Sequence, residues 1–148
     1  MDQRRERLHE AFPEKFTADK RTATLIYSSS GRVIVESEGR SIRPAIEAIL
    51  IIRECANLIV YDKTLGLAAA KLHSLVDPKA IYSERMTREA RDFLTLNGIE
   101  HHYKDLVETL ITEEKKTCPF EILAREHDAE ELYDLLLEKY ALANPILR

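Results

Sequence analysis

Apolar and polar positions recur with two different periods along this chain, and the changes of period mark its elements. Residues 2–12 are highly charged, with Leu8 and Phe12 on one face, which predicts a helix stopping at Pro13. Residues 22–27 and 33–36 are β-rich and flank Ser28-Ser29-Ser30-Gly31, which predicts a hairpin ended by Gly39. Ile42, Ile46, Ile49 and Leu50 then follow the helical period, and Pro44 suits the first turn of that helix. Residues 57–61 form a short apolar run, the pattern of a strand buried on both faces. Residues 64–76 are rich in Ala and Leu and predict a helix broken by Asp77-Pro78. Residues 80–82 predict another buried strand. Thr87 is placed to cap a helix that carries Ala90, Phe93 and Leu94 on one face and stops at Asn97-Gly98. Residues 99–103 read as a more polar strand nearer an edge. Residues 128–142 read as a final amphipathic helix with Leu132, Leu136 and Tyr140 on its stripe, and Asp128 with Glu131 resembles a capping box.

Strands alternating with helices imply parallel strands joined by right-handed crossovers. The hairpin adds an antiparallel edge. The expected fold class is α/β, with a mixed five-stranded sheet between two helical layers. Residues 1–148 are expected to form one domain, with residues 1–20 as a helical extension. A chain of 148 residues buries roughly 70% of its unfolded surface and needs no metal or disulfide to hold a core.

Charge and cysteine content narrow the function. The chain has 22 basic and 26 acidic side chains, a formal charge of −4, which argues against non-specific nucleic-acid binding. The most apolar stretch, residues 45–61, is broken by Glu47, Arg53 and Glu54, so no membrane span is expected. Residues 1–10 carry no apolar signal core. With two cysteines, Cys55 and Cys118, the expected location is a reducing cytoplasm.

The element order resembles the cytidine-deaminase-like fold. In that fold one helix begins with His-Ala-Glu or Cys-Ala-Glu and another with Pro-Cys-x-x-Cys, and together they hold a catalytic zinc. Laid on that pattern, Arg43 takes the first ligand position, Ala45 the proton-shuttle position, and Thr64 and Leu67 the two cysteine positions. Arg and Leu cannot serve as ligands. The resemblance therefore implies no zinc, no other cofactor and no zinc-dependent deaminase activity. A closer resemblance is to an uncharacterised prokaryotic domain-of-unknown-function family with this fold. It rests on Arg43-Pro44 with Ser41 ahead, on the run from Asp62 to Ala70, and on Cys118-Pro119-Phe120-Glu121. Leu67 departs from the family, which usually carries Lys there. The resemblance implies a fold and a pocket, with no assigned activity.

In that fold two helix starts converge, each with unpaired N–H groups and a partial positive charge. Arg43 and Lys63 add full charges, partly offset by Asp62 and Glu84. The pocket is therefore expected to hold a phosphate-bearing, nucleotide-like small molecule through Ser41, Arg43, Asp62, Lys63, Thr64, Gly66 and Glu84. The alternative is that Arg43 and Lys63 pair with Asp62 and Glu84 and close the pocket. A catalytic reading uses Asp62 or Cys118 as nucleophile, with Glu121 as hydrogen-bond acceptor or base. A third reading is an interaction module with no ligand site. The five histidines show no ligand spacing and are expected on the surface, His101 and His102 on opposite strand faces. Self-association is expected from the fold resemblance.

Overall fold

The apolar runs at Leu58–Val60 and Ala80–Ile81 become neighbouring strands because each can bury side chains on a sheet covered by helices. The computed structural model describes residues 22–27, 33–38, 58–110 and 116–143. In chain order the elements are β1 (Thr22–Tyr27), β2 (Val33–Glu38), β3 (Ile59–Leu65), α1 (Leu67–Ser74), β4 (Ala80–Thr87), α2 (Arg88–Leu96), β5 (His101–Val107), α3 (Pro119–Glu126) and α4 (Ala129–Ala143). The strand order is β2-β1-β3-β4-β5. The expected helices at residues 2–12 and 42–50, and with them Ser41, Arg43 and Cys55, lie outside the described residues.

The expected fold class needs correction. Antiparallel pairing was expected only within a hairpin at the edge of a five-stranded mixed sheet, inside a three-layer cytidine-deaminase-like sandwich. The parallel unit is the three-stranded, all-parallel β3-β4-β5. Antiparallel pairing extends inward, since β1 runs against β3 as well as against β2. α1 joins β3 to β4 and α2 joins β4 to β5, and two right-handed crossovers advancing in one direction put both helices on one face. α1 packs against α2, α3 and α4. One helical layer is thus described among these residues.

The helix boundaries follow local chemistry. Thr87 Oγ1 accepts from Ala90 N at 3.1 Å and caps α2. Gly98 adopts φ 67° just past that helix, the left-handed conformation glycine tolerates best. Pro119 opens α3 after the N-cap Cys118. Asp128 Oδ1 accepts from Glu131 N at 2.9 Å at the start of α4. One boundary is corrected: the helix expected from Thr64 starts at Leu67, because β3 continues through Leu65. The core beneath these helices includes Val60, Leu65, Leu72, Ile81, Met86, Leu94 and Leu132. Leu136 joins it, so the apolar stripe of α4 faces the domain there. No helix among the described residues is long and apolar enough to cross a membrane.

Candidate functional site

An α-helix begins with N–H groups that have no partner inside the helix. The N-cap of α1 is Gly66, which has no side chain to offer them. The acceptor comes from 54 residues further along the chain. Glu121 Oε2 accepts from Leu67 N at 2.8 Å, and Glu121 Oε1 accepts from Ala68 N at 3.1 Å. Glu121 is delivered by the first turn of α3 and is only 4% exposed. A Cβ on Gly66 would lie 2.5 Å from Glu121 Oε1. Glycine is needed at this position to admit the carboxylate, since the backbone there (φ −95°) is open to any residue. Burial pushes the Glu121 carboxyl above its ordinary range, against the opposing pull of the Ala68 and Leu67 amides.

A second contact fastens α1 to α3 one turn on. Lys71 Nζ donates to Ala124 O and His127 O, each at 2.6 Å, at the carboxyl end of α3 where carbonyls lack helical partners. Two of the motifs singled out in the sequence, residues 62–70 and 118–121, therefore meet in space. They meet as lock and bolt: the α1 start that was expected to receive a ligand's anion receives Glu121.

Asp62, Lys63 and Thr64 lie on β3 rather than at a helix start, and successive side chains leave a strand on opposite faces. Asp62 Oδ2 and His73 Nε2 are 2.8 Å apart, with His73 completely buried. This corrects the expectation of five surface histidines. Its signal in the sequence was the position four residues after Ala69, on the buried side of α1. His73 Nδ1 is buried and has no hydrogen-bond partner. Asp62→Ala should therefore lower stability by about 2 kcal/mol, because the imidazole loses its one partner. Asp62→Ala combined with His73→Leu should recover most of that loss, since removing both polar groups is close to neutral. Urea unfolding of the two single variants and the double variant checks this.

The other expected site residues are spread over the same region. Lys63 and Glu84 are half-buried, Thr64 is exposed, and Cys118 is a half-buried free thiol at the start of α3. Sequence reasoning missed Arg85. It lies near the carboxyl end of β4, exposed, directly opposite Thr64 on one side and the exposed Asp105 on the other. The ion pairs among the described residues do not include it. A basic residue after Ser-Glu on a strand reads in isolation as a solvated charge. Only the register places it at the strand ends. No group of three His, Cys, Asp or Glu that could hold a metal occurs among the described residues.

A row of rings crosses the same three strands. Tyr61, Tyr82 and His102 occupy successive register positions on β3, β4 and β5. Tyr61 stacks on Tyr82 with centroids 5.1 Å apart and planes at 19°, and Tyr82 stacks on His102 at 4.9 Å and 22°. Burial raises the Tyr82 phenol, and the Glu100 carboxylate raises it further. His101 bonds Ile99 O through Nδ1, so the adjacent histidines have separate partners.

The family model described as TM1506, domain of unknown function DUF1893, matches residues 14–140. A crystal structure of a DUF1893 family protein, TM1506 from Thermotoga maritima, is similar with a TM-score of 0.72 and 28% identity. The match covers 84% of this chain and 85% of that one. No curated protein matches.

Proposed function

This chain belongs to the DUF1893 family, and from that premise we propose that it binds a nucleotide-like, anionic small molecule at the carboxyl ends of β3 and β4. Open α/β sheets take their ligands outside the carboxyl ends of parallel strands. The observation that carries the reading is Arg85, exposed at that end of the sheet opposite Thr64. A guanidinium offers a rigid fork of donors that fits phosphate, and the Thr64 hydroxyl beside it adds another donor. Lys63 and Glu84, one residue back on the same two strands, face the other side of the sheet and leave the ligand set. Ser41 and Arg43 belong to the same reading as further anion donors. The α1 start does not, because Glu121 fills it. Gly66 serves that contact and leaves the ligand set.

The nucleophile alternative has less support. Asp62 is engaged with buried His73, and His127, close in sequence to Cys118, bonds Glu131. The first contact commits Asp62 to His73, and the second supplies no base aimed at the Cys118 thiol.

Calorimetric titration of the full chain with ribose 5-phosphate and ribonucleoside monophosphates tests the proposal. Arg85→Ala should weaken binding about tenfold or more, the scale of a hydrogen bond to a charged group. Equal affinity in the variant would remove Arg85 from the site. No binding by the wild type would favour an interaction module.

A further inference from the structure

We propose that Asp105 is the sugar-reading residue of the ligand site, so that the anionic ligand carries free ribose hydroxyls. This inference rests on the ligand reading above and names the ligand class within it, a ribonucleotide rather than its deoxy counterpart. Residues opposite one another on neighbouring strands share a face of the sheet, about 4.8 Å apart. Thr64 on β3 is opposite Arg85 on β4, and Arg85 is opposite Asp105 on β5. A hydroxyl, a guanidinium and a carboxylate therefore form one row on one face, within two residues of the carboxyl ends of their strands.

All three side chains of the row are exposed. The next row inward on the same face is Asp62, Ser83 and Tyr103, and it is engaged within the protein. Asp62 holds His73, Ser83 Oγ donates to Arg85 O at 2.7 Å, and Tyr103 packs against the core. Among the described residues, the side chains of Thr64, Arg85 and Asp105 have no hydrogen-bond or ion-pair partner, although Arg85 and Asp105 carry opposite charges one strand apart. The guanidinium donors and the carboxylate acceptors are thus both left for a ligand. Asp105 repels a phosphate, so the phosphate belongs on the Thr64 side of Arg85. An ionised carboxylate only accepts, through two oxygens, and the partners it takes from a sugar are hydroxyl groups. A ribose phosphate laid along the row from β3 to β5 meets donors for its phosphate first and an acceptor for its hydroxyls next. The same chemistry reads ribose in dinucleotide-binding α/β sheets, where an acidic side chain bonds the 2′-hydroxyl.

The test uses the full chain, titrated with the four common ribonucleoside 5′-monophosphates and with their 2′-deoxy counterparts. At least one ribonucleotide should bind about tenfold more tightly than its deoxy form, the scale of a hydrogen bond to a charged group. Asp105→Ala should erase that margin. It should also bind the deoxynucleotide at least as tightly as wild type does, because a negative charge near the phosphate is gone. Arg85→Ala should weaken both forms alike, since it removes a phosphate contact. Melting curves matched to wild type confirm that both variants fold. Equal binding of every ribonucleotide and its deoxy form, or a margin that survives Asp105→Ala, would overturn the sugar-reading role while the anion site stands. Failure of every probe to bind would overturn both.

Discussion

Glu121→Ala is expected to lower the free energy of unfolding by about 3 kcal/mol. The carboxylate satisfies two helix-start amides 54 and 53 residues away, and hydrogen bonds to a charged group contribute roughly 1.5–3 kcal/mol each. Part of that gain is offset by burying the charge, which is why the sum is not reached. Glu121→Gln should lose about half as much, because the amide keeps one acceptor oxygen and turns a donor group toward the other N–H. The pH dependence has a defined sign. The folded-state pKa of Glu121 is raised above the ordinary value of 4.5, so the folded protein takes up the proton first. The linked stabilisation is fully present below the unfolded pKa and is lost as pH rises through the folded one. The stability of wild type relative to Glu121→Gln should therefore increase on acidification from neutral pH. Urea unfolding across that range measures it, and a difference that shrinks on acidification would contradict the burial argument.

Gly66→Ala is the second large effect, and two opposing terms set it. Away from its neighbours the substitution would stabilise by roughly 0.4–1 kcal/mol, since alanine has less freedom to lose and Gly66 has negative φ. The new methyl would meet Glu121 Oε1, Cδ and Oε2 at 2.5, 2.6 and 2.7 Å. That carboxylate is buried and held by two amides, so it has little room to yield without giving up the cap. The clash wins, and a loss of about 3 kcal/mol is expected, similar to removing the cap outright. The two substitutions act on one contact and should not add. In a Glu121→Ala background the methyl has space, and Gly66→Ala should become neutral or stabilising. Full additivity in thermal or urea unfolding would show that Gly66 and Glu121 do not meet.

Local chemistry was legible in the sequence where it was settled within a few residues. Thr87, Gly98, Pro119 and Asp128 each mark a helix end through contacts spanning at most four residues. The apolar runs at Leu58–Val60 and Ala80–Ile81 mark strands because only a covered sheet accommodates them. The boundary after Tyr61 misled, since Asp62-Lys63-Thr64 has the composition of a helix start. In the structure these polar residues are absorbed by the alternation of a strand, with Asp62 buried against His73. His73 was misread because a histidine in an Ala-rich helix is buried only when a partner waits beneath it, and that partner sits on another element. The Glu121 contact was out of reach for the same reason. No periodicity links Gly66 to Glu121. The visible traces were a glycine between a strand and an Ala-rich helix, and a Pro-x-Glu start on a later one. Of the residues picked out in the sequence for a site, Thr64 stays in the proposed ligand set and Gly66 leaves it, because Glu121 fills the helix start beside it. Arg85 and the ring row depend on strand register, which pairs residues about 20 positions apart.

The central claim is that the start of α1 is filled by the protein's own carboxylate and that a ligand is met by side chains at the strand ends. Backbone amide NMR of the labelled full chain tests it directly. The Leu67 and Ala68 amides should shift with the titration of the Glu121 carboxyl and stay unmoved when phosphate or a nucleoside monophosphate is added. Saturable shifts of those two amides on adding phosphate to wild-type protein would show an open anion seat at α1 and contradict the account.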